Sequence, residues 1–178
     1  MFSSILNMHK HAVILIVFFA TTLFSSIAWS EEELSATKHT DVLMPFLVST
    51  EISLAADNNR GTQKAWRCSE ALVTTFVAVN ALKHVCKENR PDGSGADSFP
   101  SGHAALAFTS AAVLDSSQPG RGWMGYLAAG FISWERVEDR KHFWRDIIAG
   151  AVIGQVIGKQ FAERNRATTP VMALSIGF

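Results

Sequence analysis

Long apolar runs are missing from most of this 178-residue chain. Beyond the first thirty residues none reaches about 18 without a polar interruption. The longest, Ala71 to Leu82 and Ile147 to Gly158, are nearer a dozen, which suits buried core helices or shallow insertion better than full membrane spans. Net charge is missing too: 16 Lys and Arg balance 16 Asp and Glu, without the basic excess of most nucleic-acid-binding domains. The two signs are interspersed, with no single-sign block beyond Glu31-Glu32-Glu33. Cysteine is scarce. Cys68 and Cys86 are separated by a segment that reads as one helix, which would hold their Cα atoms roughly 27 Å apart. A disulfide needs less than about 7 Å, so unpaired thiols are expected. No closely spaced His/Asp/Glu cluster has a metal-binding form, and no metal or cofactor is expected. No segment makes a convincing sheet.

What is present is a core: 48% of the residues are apolar, enough for one packed domain and too many for a disordered chain. The first thirty residues stand apart. Lys10, flanked by His9 and His11, precedes an apolar run from Ala12 to Phe24, and Ala28-Trp29-Ser30 places small residues at the −3 and −1 positions. That order has the form of a secretory signal peptide, with an uncleaved membrane anchor as the alternative. Residues 1–30 are therefore read as a leader and 31–178 as a single domain. The expected location is the periplasm or the outer face of the inner membrane.

The remaining pattern is helical, and the expected fold is all-α, a compact bundle of about five to six helices. Thr40 and Asp41 are placed to cap a first helix running toward Ala56. A second helix is expected from about Gln63 to Lys87, ended by Arg90-Pro91. After a Gly/Asp/Ser loop, a third is expected from His103 to about Leu114, a fourth from Trp123 to about Trp134, and a fifth from about His142 to Glu163. In the last, Gly150, Gly154 and Gly158 recur every four residues, so one face has almost no side chain. Such a face admits a close neighbour in a membrane bundle or in a small soluble one.

Three clusters place polar groups among apolar helices. Lys83 and Arg90 are seven apart, close to two helical turns, and both cations would project from one face. Arg holds phosphate bidentately and Lys adds a point charge. Pro100-Ser101-Gly102-His103 opens a helix, where unpaired backbone N–H groups and the dipole favour anions. Gly102 permits close approach of a ligand, Ser101 can cap or donate, and His103 stands beside whatever binds. Finally, Arg136 is followed by His142 and then, four residues on, by Asp146. On a helix the imidazole and carboxylate would share a face within hydrogen-bond reach, fixing the tautomer and freeing the other nitrogen to attack. Each cluster alone also fits an ordinary solvated surface.

As an ordered set, Lys-x6-Arg-Pro, Pro-Ser-Gly-His and Arg-x5-His-x3-Asp resembles the signature of the type 2 phosphatidic acid phosphatase and vanadium haloperoxidase superfamily. The resemblance spans about residues 70–160, and the phrase RPDGSGADSFPSGH is similar to that of small exported bacterial members. It implies a metal-independent phosphatase. His142 would form a phosphohistidine, Asp146 would orient it, and His103 would protonate the leaving group and then activate water. Lys83, Arg90, Arg136 and the amides of Ser101 and Gly102 would hold the phosphoryl oxygens. The implied partners are phosphorylated lipids, polyprenyl diphosphates or small phosphomonoesters, with membrane-surface association and no nucleic acid. One departure is Glu135, where the family usually has Ser; an outward-facing side chain there would spare the pocket. The rival readings are a haloperoxidase that holds vanadate, and a disabled phosphate- or lipid-binding protein.

Overall fold

The structure, a computed structural model, describes residues 42–164. The leader and the C-terminal tail lie outside the described residues, as do the capping positions Thr40 and Asp41. Five helices follow in order: α1 (Leu43–Ala55), α2 (Gly61–Cys86), α3 (Gly102–Ser117), α4 (Gly122–Glu138) and α5 (Trp144–Glu163). No strand occurs among the described residues, so the expected all-α bundle is the fold found.

The core is organised around α3, which is buried continuously from His103 to Ala107 and again from Thr109 to Leu114. Its Ala-rich sequence explains this. Small side chains let α1, α2, α4 and α5 all pack against one helix. The closest approach is to α5. A Cβ added at Gly150, Gly154 or Gly158 would run into the backbone carbonyls of Ser101, Ala105 and Thr109 respectively. The glycine face is thus a backbone-to-backbone seam. Between α2 and α3 the buried hydroxyls of Thr75 and Thr109 lie 2.8 Å apart. Thr109 Oγ1 donates to the Ala105 carbonyl at 2.8 Å, which leaves Thr75 as the donor to Thr109.

The outer faces are more apolar than a solvated bundle needs. Trp144, Ile148, Val152 and Val156 are exposed along α5, opposite its glycines. Trp123, Leu127, Phe131 and Trp134 are exposed along α4, and Trp66, Val73 and Val77 along α2. Among the described residues no helix is long and apolar enough to cross a membrane. Cys68 is a buried free thiol and Cys86 an exposed one, both on α2.

Candidate active site

Two of the three sequence clusters are not on the helices expected to carry them. Lys87 adopts a left-handed conformation (φ 46) and ends α2, so Lys83 is on the last helical turn while Arg90 lies in the following loop. The helix continues no further because that residue reverses the backbone, and Pro91 beyond it cannot donate to a helical carbonyl. Similarly, α5 begins at Trp144 with Phe143 as its N-cap, so His142 precedes the helix. The i,i+4 geometry expected for His142 and Asp146 is replaced by a loop arrangement.

That arrangement is tightly specified. The His142 amide donates to the Arg136 carbonyl at 3.2 Å, as the Lys141 amide does at 3.0 Å. The His142 ring places Nδ1 2.8 Å from the carbonyl oxygen of Ser98 and 3.9 Å from Asp146 Oδ2. A carbonyl only accepts, so Nδ1 carries the hydrogen and, in the neutral ring, Nε2 carries the lone pair. Asp146 instead accepts from the Ser98 hydroxyl and from the Phe143 amide at 2.9 Å. It therefore caps α5 and grips the residue that grips His142. The expectation of a direct Asp146 bond to the imidazole is corrected on this point: the end of the helix turns the ring toward the loop, and Ser98 comes between them.

The loop that supplies Ser98 is fastened on both sides. Ser98 N–H donates to the Glu88 carbonyl at 2.9 Å, and the Asp92 amide to the Arg140 carbonyl at 3.1 Å. Buried Lys141 pairs with Asp92 at 2.9 Å, and Arg145 with Glu88 at 2.7 Å. The Ser101 amide donates to the Asp146 carbonyl at 3.0 Å, and the Ser101 hydroxyl accepts from the Ala104 amide at 3.4 Å. The Ser101 N–H is consequently spent on the scaffold rather than offered to an anion, a second difference from expectation.

A cavity of about 120 Å³ is lined by Lys83, Arg90, Asp97, Gly102, His103 and His142, with Leu43, Met44, Leu47, Phe76, Val79, Asn80 and Leu106 completing its wall. Its volume is well below the roughly 300–1,000 Å³ of sites that enclose a drug-sized molecule, which fits a small charged head rather than a whole ligand. Arg136 and Asp146 are buried and are not among its lining residues. Glu135 is half-buried and does not line it. Burial first, and then the positive charges of Lys83, His103, Arg90 and Arg136, push the His142 pKa down to about 2. His142 is thus a neutral imidazole with a defined tautomer facing two fixed cations. Among the described residues no group of three or more His, Cys, Asp or Glu side chains is placed to hold a metal ion.

The family model for the PAP2 superfamily matches residues 64–165. The chain belongs to the PAP2 superfamily. It is also similar to the lipid A 1-phosphatase of Porphyromonas gingivalis, at 32% identity over 126 residues, covering 66% of this chain and 28% of that protein. The PAP2 chain therefore spans little more than a quarter of that relative's length. No solved structure matches. Within the matched PAP2 region, Ser98 and Asp97 are the residues that sequence reasoning passed over. Both sit in the Gly/Asp/Ser loop, whose composition announces a turn and conceals which member faces inward.

Proposed function

We propose that this protein hydrolyses phosphate monoesters borne on a lipid, through a phosphohistidine intermediate on His142. The observation that carries the reading is the neutral, tautomer-fixed His142 sharing one small cavity with Lys83 and Arg90. In the first step the Nε2 lone pair of His142 attacks phosphorus and the bond to the alkoxide leaving group breaks. His103 supplies the proton that the alkoxide takes up. In the second step water attacks the phosphoryl group, His103 accepts its proton, and the N–P bond breaks to release phosphate, restoring neutral His142 and protonated His103. Lys83 and Arg90 hold phosphoryl oxygens throughout, and the buried charge of Arg136 adds to the field. The step needs no metal in this reading.

A lipid substrate is favoured over a soluble one by the wall that Leu43, Met44, Leu47, Phe76, Val79 and Leu106 build around the cationic end. The exposed apolar stripes of α2, α4 and α5 suit a protein resting against a bilayer. The similarity to a lipid A 1-phosphatase supports the same class. Residues 1–30, with the order of a secretory leader, support action outside the cytoplasm.

The test is phosphate release by the purified protein from phosphatidic acid vesicles, a polyprenyl diphosphate and a soluble aryl phosphate, beside His142→Ala. Release that favours the lipids and falls below about 1% in the variant, with helical circular dichroism unchanged, is the expected result. Retained turnover in His142→Ala would remove the nucleophile assignment. A preference for the aryl phosphate would remove the lipid assignment.

A further inference from the structure

The two cations of the cavity are already engaged by a carboxylate of the chain itself. Arg90 donates from Nε to Asp97 Oδ1 at 2.9 Å and from Nη2 to Asp97 Oδ2 at 2.9 Å. This is the two-pronged fork that Arg makes to carboxylate or phosphate. Lys83 Nζ donates to the Asp97 backbone carbonyl at 2.6 Å and lies 3.3 Å from Oδ2. The cations are fixed and the carboxylate is reachable: the Arg90 and Lys83 side chains are 8% and 14% exposed, against 47% for Asp97. Asp97 lines the cavity together with His103 and His142.

We propose that Asp97 is a built-in counter-ligand of the phosphate cradle, displaced by each incoming phosphate, and that this exchange selects phosphate monoesters over singly charged diesters. The proposal rests on the reading of Lys83 and Arg90 as the phosphate-holding cations. An incoming phosphate and the Asp97 carboxylate repel one another and compete for the same N–H donors. A monoester brings close to two negative charges above its second pKa near 6, so it offers the cations more than the carboxylate it displaces. A diester brings one charge and returns no electrostatic gain for the exchange.

The surroundings define how the exchange takes place. The backbone on either side of Asp97 is pinned, with the Gly95 carbonyl accepting from the Arg90 amide at 2.8 Å and the Ser98 amide donating to Glu88 at 2.9 Å. Displacement is therefore a rotation of the Asp97 side chain, during which its carbonyl keeps hold of Lys83. The carboxylate is ionised throughout the working range. Burial raises its pKa, but the Arg90 hydrogen bond and the charges of Lys83 and Arg90 outweigh burial and bring it down to about 2.

The test compares wild type with Asp97→Asn, full chain, by calorimetric titration at about pH 8 with inorganic phosphate and with dimethyl phosphate. Wild type is expected to bind inorganic phosphate and to ignore dimethyl phosphate. In Asp97→Asn, phosphate is expected to bind about ten times more tightly and dimethyl phosphate to become measurable. Equal or weaker phosphate binding in the variant overturns the proposal and makes Asp97 a positioning residue for Arg90. Absence of binding to both proteins overturns it as well. Thermal melting checks that both are folded, and Asp97→Ser repeats the charge removal with a shorter side chain. Binding is read without turnover, so an inactive protein that still shows the tighter variant would sink the phosphatase reading and leave the counter-ligand standing.

Discussion

His142 donates from Nδ1 to the carbonyl oxygen of Ser98 at 2.8 Å. A backbone acceptor fixes the ring's tautomer, while the nearest Asp146 carboxylate oxygen stands 3.9 Å from the same nitrogen. The ring stays neutral because of burial and the surrounding cations, and the Asp146 carboxylate reaches it through Ser98.

This geometry separates two roles in a mutant series. Ser98→Ala keeps the carbonyl that binds His142 but loses the hydroxyl that Asp146 grips. It should lower kcat about tenfold, the loss of roughly 1.4 kcal/mol, with KM little changed. Asp146→Asn should cost more, because the same carboxylate also caps α5 at Phe143. The double variant should be no worse than Asp146→Asn alone. Multiplying losses in the kinetic cycle would mean that Asp146 works independently of Ser98.

A neutral His142 has a direct spectroscopic consequence. With its pKa down to about 2, its C2 proton resonance should not titrate between about pH 8 and pH 4. An ordinary histidine moves through a midpoint near 6.5 over that range. A midpoint between about 6 and 7 for His142 would contradict its burial among these cations.

The seam between α3 and α5 should be intolerant of a single methyl group. Gly154→Ala drives a Cβ into the Ala105 carbonyl, and forced overpacking of this kind costs about 1–3 kcal/mol. Chemical denaturation should show the loss. Gly130→Ala is a suitable control, because a Cβ there meets nothing within 4 Å and alanine favours a helix. Equal stability of Gly154→Ala and wild type would deny the close approach.

The core also contains an acid that sets a slope of stability with pH. Glu51 is buried on α1, with the Ser69 hydroxyl 3.1 Å away. Burial pushes its pKa from 4.5 up to about 7, against smaller opposing effects of hydrogen bonds from Ser69 and Cys68. The folded state keeps this proton longer than the unfolded chain does. The contribution is therefore complete below pH 4.5 and is lost as the pH climbs through about 7. Glu51→Gln should remove that slope, stabilising the protein near neutrality by up to roughly 3 kcal/mol. Parallel pH dependences of wild type and variant would refute it.

Much of the bundle was legible because apolar periodicity and Gly/Pro punctuation mark helices locally. The ranges expected for the second to fifth helices coincide with the observed ones to within a few residues. The Lys, Arg and His identities that line the cavity were legible as a set, since isolated cations and imidazoles among apolar helices stand out. Their attachment was not. Nothing in the spacing of Lys83 and Arg90 reveals that Lys87 turns the backbone left-handed, and an i,i+4 pair reads as helical even when the helix begins between its members. Ser98 and Asp97 were hidden for another reason. A loop's inward-facing residues are chosen by long-range partners such as Asp146 and Arg90, and such partners leave no periodicity.

The glycine seam has a consequence for how such a protein could be re-purposed. His103 lies in the first turn of α3, His142 sits just before the N-cap of α5, and the Ser101 amide ties the two helix starts together through the Asp146 carbonyl. With backbone resting on backbone along that line, the spacing of the two imidazoles has no side chains that substitution could adjust. Variation in what the pocket accepts is left to the opposite wall, where Met44 and Leu47 of α1 and Phe76 of α2 are ordinary replaceable side chains. In the proposed reading, main chain sets the distance between the two imidazoles, and replaceable side chains set what reaches them.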